Sequence, residues 1–206
     1  MKVAQINRIR ALLTELGIVF AQDPSKLVKQ VRASLEGLPE PIRITFIRML
    51  DQLTEIEKEI AYFDLQITVL AKANLQTQQL MRLPGIGVLT ATAMVAMIGN
   101  GDQFSCGRQL SAFLGLVPRQ NSSGGEARLG HITKGGDSYL RTLLIMGAKS
   151  VMMSLAHKEE LSSVNRWSMT LKKRRGYGRT VIALAAKNAR MCWASLQLGD
   201  AFVMPK

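Results

Sequence analysis

From Ile42 the apolar side chains Phe46, Met49, Leu53, Ile56, Ile60, Phe63, Ile67 and Leu70 follow one another in steps of four and three over four heptads. That period fits a long helix whose apolar seam has to meet another helix. The acids Asp51, Glu55, Glu57, Glu59 and Asp64 fall on its solvent side. An earlier seam, Ile6, Ile9, Leu13, Leu16 and Phe20, repeats the spacing, with Gly17 weakening its end. Pro24, Pro39 and Pro41 punctuate the segment between the two, which encloses a short helix at about Lys26 to Leu35. The seams can be satisfied by an antiparallel pair within the chain or by a dimerisation arm, because heptads specify a seam before they specify a partner.

At Leu83 the register gives way to "LPGIGVLTATAMVAMIG", in which Pro84 and the glycines stop one helix and Val88 to Ile98 starts another, nearly free of charge and so destined for burial. The turn has the spacing of a helix-hairpin-helix motif, where Gly85 and Gly87 would let a phosphate approach free amides. A plain helix corner with glycines for close packing satisfies the same residues. Further on, Arg108 to Leu114 reads as a short helix capped by Gly115. The next helix carries Leu140, Leu143, Leu144, Gly147, Ala148, Val151 and Leu155 on one face, with Asp137 or Ser138 as N-cap. "NRWSMTLKKRRGYGRT" reads as a basic link, and Val181 to Leu198 as a last helix ending at Gly199. Few aromatic residues and abundant Ala, Leu, Ile and Met favour helices over a sandwich. The expected fold is mainly α: an antiparallel helical or coiled-coil arm over residues 1–80, then a compact helical domain over 81–206 with the hairpin-like turn and a glycine-rich loop.

Charge separates the two halves. Residues 1–103 hold 11 Lys/Arg and 10 Asp/Glu, whereas residues 104–206 hold 16 and 5, so nearly all of the net charge of +12 lies in the second half. Such a field attracts a polyanion, and nucleic acid is the first candidate. A membrane partner would need a basic amphipathic helix or an apolar run of about 18 residues, and the sequence has neither. Cys106 and Cys192 form no C-x-x-C and have no histidine beside them, so neither a disulfide framework nor a structural metal is indicated. The start of the chain has no signal-peptide core, and a reducing cytosol is the expected location.

The basic half contains "VPRQNSSGGEARLGHITKGG", residues 117–136, between two helices expected to be buried. Five glycines among Arg119, Arg128 and Lys134, with Arg141 opening the next helix, suit a loop whose backbone and guanidinium groups hold phosphate oxygens. Ser122 and Ser123 are its only good nucleophiles. A serine hydroxyl needs a base, a metal or a dense positive environment to attack phosphorus. His131 is the nearby imidazole, and a solvated loop histidine is the plainer reading of it. Nucleic-acid binding without chemistry accounts for the same loop. Lys172, Lys173, Arg174 and Arg175 add a second basic cluster. Scattered carboxylates do not form the converging set that a two-metal nuclease needs, and no Walker loop is present.

Three segments together, "LPGIGVLTATAMVAMIG", "FSCGRQLSAFLGLVPRQNSSGGEARLGHITKGGDSYLRTLLIMGAKSV" and "VIALAAKNARMCWASL", resemble the C-terminal transposase region of the insertion-sequence one-ten family, the RNA-guided bridge recombinases. Residues 1–80 are similar to that family's helical coiled-coil region. The resemblance implies DNA strand exchange through a covalent phosphoserine, with a structured guide RNA as partner and a homo-oligomer held by the coiled coil. It places the nucleophile on Ser123, with Ser122 as second choice. It gives phosphate contacts to Arg119, Lys134 and Arg141, beside which Gly85, Gly87, Arg128, Lys173, Arg174 and Arg175 stand as nucleic-acid contacts expected from the turn and the basic clusters themselves. The family also carries an acidic RNase-H-like domain ahead of the coiled coil that holds divalent metal, and none of its positions falls in this sequence. The expectation is therefore a truncated copy, deficient in catalysis by itself, that binds no cofactor and meets Mg²⁺ only through that other domain. The alternatives are a non-catalytic nucleic-acid-binding remnant and an oligomerisation inhibitor of a full-length transposase.

Overall fold

The computed structural model describes residues 1–19, 24–121, 128–155 and 162–204, without the side chains of 24–27. It is mainly helical, as the composition predicts, with one small two-stranded sheet among the described residues. The chain divides into two compact units, Met1–Gln66 and Ile67–Lys206.

The first unit contains α1 (Lys2–Glu15), α2 (Pro24–Ser34), a 3-10 turn (Leu35–Gly37) and α3 (Glu40–Ala73) as far as Gln66. The earlier seam places Ile6, Ile9 and Leu13 in a core with Val31, Leu35, Phe46, Met49, Leu50 and Leu53. Lys2 reaches Glu57 at 2.9 Å while Gln5 donates to the Met49 carbonyl at 3.3 Å and to Gln52 at 3.1 Å, so α1 runs antiparallel to α3. Helix α1 stops at Glu15 and leaves Leu16 exposed. Phe20, the last member of that seam, lies outside the described residues.

Along α3 the predicted seam changes character. Phe46, Met49 and Leu53 are buried, but Ile60 is 43 % exposed, Phe63 59 % and Leu70 61 %, with Leu65 and Val69 bare beside them. The sequence period continues past the point where packing stops.

In the second unit, α4 (Leu75–Met81), α5 (Val88–Ile98), α6 (Gly107–Phe113), α7 (Ser138–Ser154) and α8 (Ser163–Arg175) surround α9 (Tyr177–Leu198), which packs on α4, α6, α7 and α8. Val181, Leu184, Ala185, Ala189, Cys192 and Leu196 of α9 join Leu80, Met94, Leu110, Leu114, Leu140 and Leu144 in one core. Burying a leucine fully contributes roughly 1.5–3 kcal/mol, so the fully buried Leu110, Leu114, Leu140, Leu144 and Leu184 supply much of the hydrophobic stabilisation. Asp137 caps α7 by accepting from the Leu140 amide at 2.6 Å.

The segment expected to be a basic link is instead the helix α8. Ser162 caps it by accepting from the Asn165 amide. Val164 and Ser168 are buried, and the ring of Trp167 carries Lys187 at 4.6 Å. Four of its five cations, Lys172 to Arg175, fill the last turn, where they complement the negative end of the helix dipole. Charge density concealed a buried stripe that begins with Val164. No helix among the described residues is long and apolar enough to cross a membrane.

Candidate functional site

Between α6 and α7 the glycine-rich segment forms a hairpin. Strand β1 (Pro118–Gln120) pairs antiparallel with β2 (Leu129–Ile132), Pro118 opposite Ile132 and Gln120 opposite Leu129, with an irregularity between the two pairs. Asn121 donates its amide to the Arg128 carbonyl at 3.0 Å, and the Thr133 amide closes the other end on Val117 at 2.9 Å. Ser122 and Ser123 fall between Asn121 and Arg128, in a segment that lies outside the described residues together with Glu126. Both strands are largely exposed, including Arg119 and His131, as is Arg128 just before β2. Arg119 donates from Nη2 to the Thr133 carbonyl at 3.3 Å, across the hairpin.

The root of the hairpin is tight. The Lys134 amide donates to the Gly115 carbonyl at 3.2 Å. A Cβ on Gly136 would lie 1.8 Å from the Phe113 carbonyl oxygen, so the chain can pass here only as glycine. Arg141, on the first turn of α7, donates from Nη1 to the carbonyls of Gly135 at 2.7 Å, Leu114 at 3.2 Å and Asp137 at 3.5 Å. One guanidinium thus serves the carbonyls of both stems. Arg119, Lys134 and Arg141 are gathered at this root by sequence proximity and by these bonds. Lys173, Arg174 and Arg175 are exposed on the last turn of α8, where Lys172 lies 5.9 Å from the centre of the Tyr177 ring.

The two glycines of the LPGIG turn have different surroundings. Gly85 takes φ +81° and backs onto α7, where a Cβ on Gly147 would be 1.9 Å from the Gly85 oxygen. Gly87 is exposed at the N-cap of α5, and a Cβ there would meet nothing within 4 Å. Asn188, fully buried on α9, donates to the Pro84 carbonyl at 2.9 Å and ties the turn to the core. Sequence reasoning did not single out Asn188, although a lone amide in the apolar run Val181–Ala189 was a signal of it. Among the described residues no three His, Cys, Asp or Glu side chains come together to hold a metal ion.

The comparison that decides the family covers this region. Residues 77–163, from α4 through the whole hairpin and α7, match the model described as "Transposase IS116/IS110/IS902 family". The chain carries the transposase domain of that family. Over 200 residues it is 40 % identical to a "Probable family 20 transposase" of Pseudomonas aeruginosa, covering 95 % of this chain and 59 % of that one. It is 37 % identical to the "Transposase for insertion sequence element IS1111A" of Coxiella burnetii, over 95 % of this chain and 54 % of that one. The chain is also 29 % identical over 99 residues to a "Pilin gene-inverting protein" of Moraxella lacunata, an alignment that spans 48 % of this chain and 30 % of that one. The chain thus spans between half and three fifths of the length of the first two relatives.

Proposed function

We propose that this chain is the serine-bearing part of an insertion-sequence transposase of the bacterial cytosol, acting on DNA through Ser123, with Ser122 as second choice. What supports this reading is where the serine pair falls along the sequence: within the family-matched residues, after the strand that bears Arg119 and before the strand that bears His131, whose root holds Lys134. Ser Oγ attacks phosphorus, an Oγ–P bond forms, and the bond from phosphorus to one strand oxygen breaks. The departing oxygen takes up a proton, while the serine proton passes to a base, for which His131 is the candidate in this hairpin. A hydroxyl of the incoming strand then displaces serine. One P–O bond forms for each one broken, so the exchange requires no nucleotide hydrolysis. Cations around the phosphate stabilise the charge that develops there: Arg119, Arg128 and Lys134 near the hairpin, and Lys173, Arg174 and Arg175 along the bound strand. Gly87 at the start of α5 offers a further backbone contact in the manner of a helix-hairpin-helix.

Residues 1–80 serve assembly in this proposal and residues 81–206 serve the nucleic acid. The seam from Ile56 to Leu70, bare at Ile60, Phe63 and Leu70, is the surface for a coiled coil with a second copy, and a structured RNA is the proposed guide. That same bare seam favours a second reading, in which the chain forms mixed, inactive oligomers with a longer transposase. The distinguishing experiment incubates the purified chain with labelled element-end DNA, guide RNA and Mg²⁺, with and without a separately supplied acidic domain, and resolves the products on a denaturing gel. A protein–DNA adduct that requires the acidic domain and disappears in Ser123→Ala supports the serine reading. Intact DNA binding with no adduct in either arm leaves the mixed-oligomer reading.

A further inference from the structure

We propose that Lys134 meets a DNA phosphate at the root of the serine hairpin, and that Arg141 is a positioning residue that holds Lys134 there. This rests on the reading of the chain as a DNA-binding transposase part and assigns roles within that site. The first observation is conformational. Lys134 has φ +56°, the only positive value at a non-glycine among the described residues. An L-residue adopts that region at a cost that glycine does not incur. The residue is followed by two glycines and is itself exposed, so a lysine contributes little to packing here. A strained backbone that carries an exposed cation points to a side chain kept for a contact made outside the fold.

The second observation is what enforces the conformation. The Lys134 amide is tied to the Gly115 carbonyl at 3.2 Å, and its neighbour Thr133 is tied to Val117 at 2.9 Å. The next carbonyl, that of Gly135, accepts from Arg141 Nη1 at 2.7 Å, and the same nitrogen reaches Leu114 and Asp137 in the two flanking segments. Gly115 closes the other side, since a Cβ there would lie 2.5 Å from both the nitrogen and the oxygen of Gly135. Lys134 is therefore seated in a mount of backbone bonds, and Arg141 links three of its carbonyls. A lysine at position 141 would keep the charge but carry it on a flexible, strongly hydrated ammonium in place of the rigid guanidinium whose Nη1 meets all three carbonyls.

The test is the salt dependence of binding by the full chain to a labelled DNA duplex. Lys134→Gly should melt no lower than the parent, because it removes the strain, and should reduce the slope of log affinity against log salt by about one, the loss of one phosphate contact. Arg141→Lys should reduce the slope by about the same one although its charge is kept, and the double variant should lose no more than either single one. An unchanged slope in Lys134→Gly, or a full slope in Arg141→Lys, overturns the inference. So does a double variant that loses about two, which would mean that each residue holds its own phosphate. If Arg141→Lys does not fold, Arg141→Gln on the Lys134→Gly background decides the same point, since a pure positioning residue then has no slope left to remove. A parent chain without salt-dependent DNA binding sinks the proposed function and this inference together; a steep parent slope that neither variant alters sinks this inference alone.

Discussion

Replacing Gly147 by alanine drives a methyl group into the backbone of the LPGIG turn. The new Cβ would sit 1.9 Å from the Gly85 oxygen and 3.0 Å from the Gly85 carbonyl carbon. Carbon contacts are comfortable only at about 3.5–4.0 Å, so α7 and the turn would have to separate by more than an ångström. Neither side yields easily. The turn is held by the Ile86 amide on the Leu83 carbonyl at 3.1 Å and by Asn188 on Pro84, while Leu144 and Ala148 beside Gly147 are fully buried. Overpacking of a core costs roughly 1–3 kcal/mol, and a collision of backbone with backbone belongs at the upper end, about 3 kcal/mol. For a domain of this size that lowers Tm by about 6–12 °C. Thermal melts followed by circular dichroism, with Gly87→Ala as the control that meets no neighbour, measure the difference. A Gly147→Ala melt within about 2 °C of the parent would refute the close-packing account of the turn.

Other substitutions probe the remaining parts of the account. Ile60→Asp changes an exposed position of α3, so sedimentation should show loss of self-association with the melting temperature preserved; unaltered association would remove the bare seam as an interface. Asp137→Ala deletes the cap on the Leu140 amide and should cost about 1 kcal/mol of stability, measured by denaturant titration, whereas no loss would mean that water serves that amide equally well. The two thiols should separate under alkylation. Burial pushes the Cys192 thiol up to about 12, whereas the backbone amide of Gln109, followed by that of Arg108, draws Cys106 below the ordinary thiol value of 9.0. The thiolate is the reactive form, so Cys106 should label in the folded chain and reach its plateau rate at a lower pH than a free thiol, with Cys192 labelling only on unfolding. Equal labelling of both would contradict the buried packing of α9.

The helices were legible where one face had to be buried. Ile6, Ile9, Leu13, Phe46, Met49 and Leu53 are spaced for a seam and occupy one core, and of the two caps expected before the apolar run, Asp137 and Ser138, it is Asp137 that caps α7. Periodicity carries no information on where a seam finds its partner, which is why Ile60, Phe63 and Leu70 continue the pattern while exposed. Helix α8 was hidden because Lys172 to Arg175 dominate its composition while its buried stripe is narrow. At the site, residue types pointed to the glycine-rich segment, but the roles at its root depend on carbonyls from both stems meeting one guanidinium, a relation between positions 114, 135 and 141 that spacing does not express. Gly85 and Gly87 read alike in the sequence and differ in the fold, one pressed on Gly147 and the other open.

The most direct measurement is to digest the adduct formed with element-end DNA and locate the modified residue by mass spectrometry. Cleavage after Arg119 and Arg128 releases QNSSGGEAR, which contains both candidate serines. The account predicts a nucleotide mass on this peptide, with fragmentation placing it on Ser123. A nucleotide on any peptide other than this one, or none where the acidic domain, DNA, RNA and Mg²⁺ are all supplied, would contradict the serine mechanism.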